Sequence, residues 1–177
     1  LLTACDGTLE RVPIAVDPTS YRDQLEQARA HRRERDDWRD LVDPPATEVL
    51  LEGQDCRGIA HKLLDDPPRP SIVSPGDPPD RGVWEPQRVR AVAAAKALAW
   101  ELERSVETAL VEYPAHGIIR TVRMTTRRKA AYRKALGIAR SIDGPPPRLG
   151  NDARCETCEY RETCGTRTRS LRSRLSL

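Results

Sequence analysis

The sequence predicts a mixed α/β domain, with antiparallel strands first and a helix crossing between two strand pairs. Three observations lead there. Short apolar runs bounded by Pro, Gly and Asp clusters occur before residue 75 and again after residue 107, the mark of strands. Between them Ala91, Ala95, Leu98 and Leu102 repeat at helical spacing. The chain has 177 residues, 38% hydrophobic and 32% charged, which is polar for a globular domain but outside the disordered range. That length suits one domain with a single core. Phe is absent, so the core falls to Ala, Val, Leu, Ile and three Trp.

The elements follow in order. Residues 10–16 read as a short strand, placed at an edge by Pro13. Asp17-Pro18-Thr19-Ser20 starts a charged helix over residues 20–41, with Leu25, Ala28 and Trp38 on its buried side. The charges from Arg32 to Arg39 read as its solvated face, and Pro44-Pro45 stops it. Thr47–Leu51 and Arg57–Leu64 are strands around a turn at Gly53-Gln54-Asp55. Ser71–Ser74 is a short apolar strand, followed by a Pro/Gly/Asp loop to Gly82. A long helix starts at Trp84-Glu85-Pro86, with Pro86 in the first turn. It runs to about Arg104, and its many Ala residues allow close approach to a sheet. Thr108–Tyr113 and Ile118–Thr125 form a hairpin around Pro114-Ala115-His116-Gly117. Thr125 or Thr126 caps a helix from about Arg127 to Ile142, with Ala131, Ala135, Ile138 and Ile142 facing in. Asp143-Gly144-Pro145-Pro146-Pro147 ends it.

The formal net charge of +3 hides an asymmetry. Residues 1–50 carry net −4 and residues 51–116 net −3, whereas residues 117–177 carry 15 basic and 5 acidic groups, net +10. No acidic residue occurs between Gly117 and Ile142. Arg120, Arg123, Arg127, Arg128, Lys129, Arg133 and Lys134 therefore make a basic surface suited to nucleic acid, with DNA as the expected partner. The bland alternative is a solvated helix face. No apolar run approaches the roughly 20 residues that span a bilayer, and no secretory signal is recognisable. The expected location is cytoplasmic. The chain begins Leu1-Leu2-Thr3, without Met, which predicts a fragment or a processed product.

Five cysteines are present: Cys5, Cys56, Cys155, Cys158 and Cys164. An odd count with three crowded together does not read as a disulfide framework. Cys155, Cys158 and Cys164 form C-x2-C-x5-C, whose turn lets the sulfurs share one metal centre. Three thiolates need a fourth ligand, and no His lies nearby. The candidates are Cys5, Cys56 or a residue upstream of Leu1. Cys56 opens a strand and is equally readable as a packed thiol. The spacing by itself permits zinc or an iron–sulfur cluster.

The cysteine segment resembles the closing segment of the CRISPR-associated RecB-like exonucleases. Trp84-Glu85-Pro86-Gln87 leading into an Ala-rich helix resembles that family's Gln-bearing helix. Val111-Glu112-Tyr113-Pro114 and Ile118-Ile119-Arg120 resemble the strand pair that follows, and the helix ending in Gly144-Pro145-Pro146-Pro147 stands in the matching place. The resemblance covers roughly residues 47–165. It implies a PD-(D/E)xK, restriction-endonuclease-like core, a mixed sheet flanked by helices. On that basis the chain divides into an N-terminal strand and helix (1–46), a RecB-like core (47–150), a cysteine segment (151–166) and a basic tail (167–177). It also implies a [4Fe-4S] cluster on Cys155, Cys158 and Cys164, action on DNA ends in spacer acquisition, and CRISPR adaptation proteins as partners.

Phosphodiester cleavage on this fold uses Mg²⁺ or Mn²⁺ held by carboxylates, with a Lys beside the attacking water. The family's Asp position reads His61 here, and its Glu-x-Lys positions read Ile72 and Ser74. Gln87 stands in place, while the Tyr expected four residues later is Ala91. The candidate catalytic residues are thus His61, Lys62 and Gln87. His61 reads equally as a structural histidine. Glu52, Asp55, Asp65 and Asp66 are carboxylates within reach if the register shifts. Glu112-Tyr113-Pro114 superficially resembles Glu-Tyr-Lys, but it follows the Gln helix and has no Lys. Three readings result: a metal-dependent DNA exonuclease with an iron–sulfur cluster, a relative that keeps fold and DNA or partner binding without cutting, and a zinc-stabilised nucleic-acid-binding module. The missing carboxylates predict weak or absent nuclease activity.

Overall fold

The computed structural model describes residues 17–33, 35–144 and 158–161. The strand expected at 10–16 lies outside the described residues. The chain divides into two compact units, Leu1–Arg133 and Lys134–Leu177. The fold is mixed α+β, built on a five-stranded mixed sheet.

The first helix, α1 (Pro18–Arg33), starts where Asp17 accepts a hydrogen bond from the Ser20 amide at 3.0 Å, with Pro18 as its first residue. The single helix expected over 20–41 is instead two. A turn at Arg35–Asp37 separates α1 from a short α2 (Trp38–Val42). The cause is ionic. Asp37 takes Arg35 at 2.8 and 2.9 Å and Arg69 at 2.7 Å, so the chain bends to deliver its carboxylate to two guanidinium groups. Charges expected on a solvated face form a clasp, with the Asp37 side chain 9% exposed. The bend carries Leu41 into the core, 3% exposed. Of Leu25 and Ala28 only the backbone is described, and Trp38 is half-buried.

Strands β1 (Ala46–Glu52), β2 (Arg57–Leu64) and β3 (Arg69–Val73) form the expected antiparallel meander, with Leu51 opposite Gly58 and Lys62 opposite Ser71. Helix α3 (Glu85–Glu101) then crosses over, and β4 (Thr108–Tyr113) pairs parallel to β3 with Ile72 opposite Val111. A parallel pair needs such a crossover, because a tight turn cannot reverse the chain twice. A 3-10 turn at Pro114–His116 and Gly117, at φ 62°, lead into the antiparallel β5 (Ile118–Arg123). Gly117 takes the left-handed conformation that the turn requires. The sheet order is β1-β2-β3-β4-β5. Helix α3 ends at Glu101, short of Arg104, because Glu103 turns left-handed at φ 51°. Leu102 is therefore 41% exposed rather than buried.

Helix α3 touches all five strands, burying Ala91, Val92, Ala95, Ala97 and Leu98. Leu41, Leu64 and Leu110 form a second cluster, joined by Ile119. All but one residue of β4 are buried, so both of its faces are covered. Helix α4 (Thr126–Arg140) is capped by Thr125, whose Oγ1 accepts the Arg128 amide at 3.4 Å. Its buried residue is Tyr132, whose ring lies 5.6 Å from the Lys96 ammonium. The expected inward face is not observed there: Ile138 and Ile142 are 55% and 50% exposed, and an aromatic replaces the Ala–Ile stripe as anchor.

The Ala-rich helix lets the β1–β2 turn come so close that a Cβ on Gly53 would lie 2.8 Å from Ala97 Cα. Gly53→Ala is expected to lower stability by about 1–3 kcal/mol in urea unfolding. An unchanged midpoint would show that this approach is not tight.

Candidate functional site

Two polar clusters are built around the β3–β4 pair. The first centres on Glu112, which is 3% exposed. Leu110 and Glu112 alternate with Ala109, Val111 and Tyr113, so the carboxylate shares a face with the Leu41 cluster. Ser71 donates to its Oε1 at 2.6 Å, and Lys62 donates to its Oε2 at 2.9 Å. Lys62 also donates to the Leu41 carbonyl at 2.8 Å. Arg35 adds a more distant positive charge, and its own pKa is raised chiefly by its hydrogen bond to Asp37. The same bond holds the Asp37 carboxyl below the usual carboxylate range.

The second cluster joins the end of β3, the start of α3 and the end of β4. Tyr113 donates to Gln87 Oε1, and Gln87 Nε2 donates to Ser74 Oγ at 2.6 Å. Ser74 N donates to the Glu112 carbonyl at 2.8 Å, which continues the parallel ladder and fixes the hydroxyl beside α3. Burial pushes the Tyr113 phenol up, against the opposing Trp84 amide and Arg120 charge. Gln87 and the position read as the family's lysine are thus brought together, but through a neutral chain of hydrogen bonds.

His61 stands apart from both. The β1–β2 ladder omits the pair Glu48 and His61, and Glu48 has φ 50°, unusual for a residue with a Cβ. On the other side of β2, just past the last β2–β3 register pair at Lys62 and Ser71, the His61 Nδ1 accepts the Val73 amide at 3.1 Å. A neutral imidazole that accepts at Nδ1 carries its proton on Nε2, leaving no lone pair for a metal ion. In this arrangement the histidine replaces a ladder hydrogen bond. Lys62 points to Glu112, so His61, Lys62 and Gln87 do not converge.

The divalent ion implied by the resemblance does not fit these donors. Around Ser74, Gln87 and Tyr113 there are two hydroxyls and an amide, whereas Mg²⁺ and Mn²⁺ need carboxylate oxygens. The buried carboxylate, Glu112, is consumed by Lys62 and Ser71. Among the described residues no group of three His, Cys, Asp or Glu converges on a metal position. Asp55 lies 3.8 Å from Lys96, and Glu52, Asp65 and Asp66 join neither cluster.

Of the cysteines, Cys5, Cys155 and Cys164 lie outside the described residues. Cys158 is exposed and in no disulfide. Cys56 is half-buried, with Sγ 3.8 Å from the Ala93 carbonyl, in the manner of a packed thiol.

The basic surface divides. Arg123, Arg127 and Arg128 line a cavity of about 500 Å³ together with Glu85, Arg88, Thr125 and Ala131. Arg88 sits one residue after Gln87 and belongs to the net acidic middle of the chain, so the basic run beyond Gly117 does not reveal it. Arg120 turns away and donates to the Asp80 carbonyl at 3.3 Å. Lys129 and Arg133 are exposed on α4, and Lys134, also exposed, belongs to the second unit. No helix among the described residues is long and apolar enough to cross a membrane. Comparison with protein-family models gives no match, and comparison with curated proteins gives none either.

Lys62→Met is expected to cost about 3–5 kcal/mol in urea unfolding, because it leaves Glu112 buried and charged without its cation. Adding Glu112→Leu should recover a large part of that loss. A single variant as stable as the parent would show that Glu112 is neutral or solvated.

Proposed function

We propose that this chain is a RecB-like nuclease-family protein that binds DNA without cutting it. The observation that carries the reading is the arginine cavity beside a site whose donors are neutral. The β-meander, crossover helix and returning parallel strand support a PD-(D/E)xK-like core. On such a core the carboxylates belong where His61 and Ile72 stand, and the lysine where Ser74 stands. Ser74, Gln87 and Tyr113 hold one another, which rigidifies the junction of β3, α3 and β4. They offer no charge compensation for a divalent ion and no base for a water.

What the chain does supply is positive charge at the β5–α4 corner. Arg88, Arg123, Arg127 and Arg128 make no ion pair among the described residues, and only Arg128 commits one guanidinium nitrogen, to the Arg123 carbonyl, so their remaining donors can meet phosphates. A protein neutralising about four phosphates of a single strand should show a log–log salt slope near −3. Fluorescence anisotropy with single-stranded DNA is expected to give such a slope, and Mn²⁺ is expected to leave the DNA intact. A flat salt response removes the DNA reading. Cleavage that His61→Ala abolishes replaces it with an exonuclease.

The C-x2-C-x5-C spacing supports a shared metal centre, and the family resemblance favours an iron–sulfur cluster held by Cys155, Cys158 and Cys164. Anaerobically prepared protein is expected to show broad visible absorbance that Cys158→Ser removes. Stoichiometric zinc without that absorbance would support the zinc-stabilised module instead. CRISPR adaptation proteins are the partners this family membership would bring.

A further inference from the structure

We propose that the cavity lined by Arg88, Arg123, Arg127 and Arg128 captures the phosphomonoester at the end of a nucleic-acid strand. This rests on the DNA-binding reading and specifies what that face selects. The cavity is concave and walled by three elements: α3 supplies Glu85 and Arg88, β5 supplies Arg123, and α4 supplies Arg127 and Arg128. An internal phosphodiester continues in two directions and suits an open groove. A strand terminus continues in one direction and fits a partly open recess.

Charge points the same way. Four guanidinium groups and one carboxylate leave the cavity at net +3. Glu85 forms no ion pair with any of the four, so the excess is uncompensated among the described residues. Gathering like charges in one concavity is unfavourable unless an anion neutralises them. A phosphodiester brings one negative charge. A monoester brings about 1.5–2 at pH 7, with three acceptor oxygens suited to forked guanidinium donors.

The volume leaves room for more than a phosphate group. At about 500 Å³ the cavity lies in the range that holds a small organic ligand rather than a bare ion. Arg128 is already positioned, with Nη1 on the Arg123 carbonyl at 2.9 Å. Arg88 and Arg127 make no such bond among the described residues. They are the arms free to close on the ligand.

The test measures competition by oligonucleotides of one sequence, ended by 5′-phosphate, 3′-phosphate or hydroxyl only, against a bound labelled strand. The full chain is used, and deoxyadenosine monophosphate is titrated separately by calorimetry. One phosphorylated end is expected to bind at least tenfold tighter than the hydroxyl-ended strand. Arg88→Gln and Arg127→Gln should each erase most of that preference while leaving the thermal midpoint unchanged. Equal affinity of all three strands overturns the pocket and leaves DNA binding standing. Binding of the mononucleotide, lost in Arg88→Gln, with no strand binding keeps the pocket and removes the DNA reading. Absence of both overturns both.

Discussion

A carboxylate buried in the middle of a sheet has to be neutralised in place, and Glu112 imposes that condition on this fold. Lys62 must come from β2, Ser71 from β3, and the segment carrying Leu41 must close over them. The pair ties three strands and α2 to one register. Replacing one member strands the other in a poor dielectric, which is far more costly than the net value of the pair. The Asp37 clasp extends the arrangement outward by fastening Arg35 and Arg69 at the bend before α2. Charge matching thus determines both the break after α1 and the placement of Leu41 against Leu64 and Leu110.

The same arrangement shapes the chemistry available on the neighbouring strand positions. With Glu112 committed to Lys62, the junction of β3, α3 and β4 is left with Ser74, Gln87 and Tyr113. Their hydrogen bonds close on one another. His61 is spent on the Val73 amide, just past the last β2–β3 register pair. A sheet that would need converging oxygens to hold a hard cation therefore presents a neutral, self-satisfied surface. The corner where β5 and α4 meet differs: there the charge is positive and forms no ion pair among the described residues.

Much of the fold was legible because its determinants are local. Apolar runs around the Gly53-Gln54-Asp55 turn marked β1 and β2, Ala spacing marked α3, and Gly117 with Pro114 marked the hairpin. The errors came where distant partners override local pattern. The charged run at Arg32–Arg39 looked like a solvated face, since nothing nearby reveals that Arg69 awaits Asp37. Ile138 looked buried from periodicity, but Tyr132 takes the anchoring role. In the site, His61 and Gln87 could be picked out by position, yet their hydrogen-bond partners are 12 and 26 residues away. Glu112 was visible as a carboxylate on a strand, while its pairing with Lys62, 50 residues distant, needed the parallel crossover to be known. Arg88 was hidden in a stretch whose net charge is negative.

The central claim is that the donors of this sheet do not make a divalent-ion site. Titration of the protein with Mn²⁺, followed by electron paramagnetic resonance of the free ion, addresses it without relying on a DNA substrate. The account predicts only weak, non-stoichiometric loss of the free Mn²⁺ signal, identical in His61→Ala and Gln87→Ala. One tightly bound Mn²⁺ per chain that disappears in either variant would contradict it.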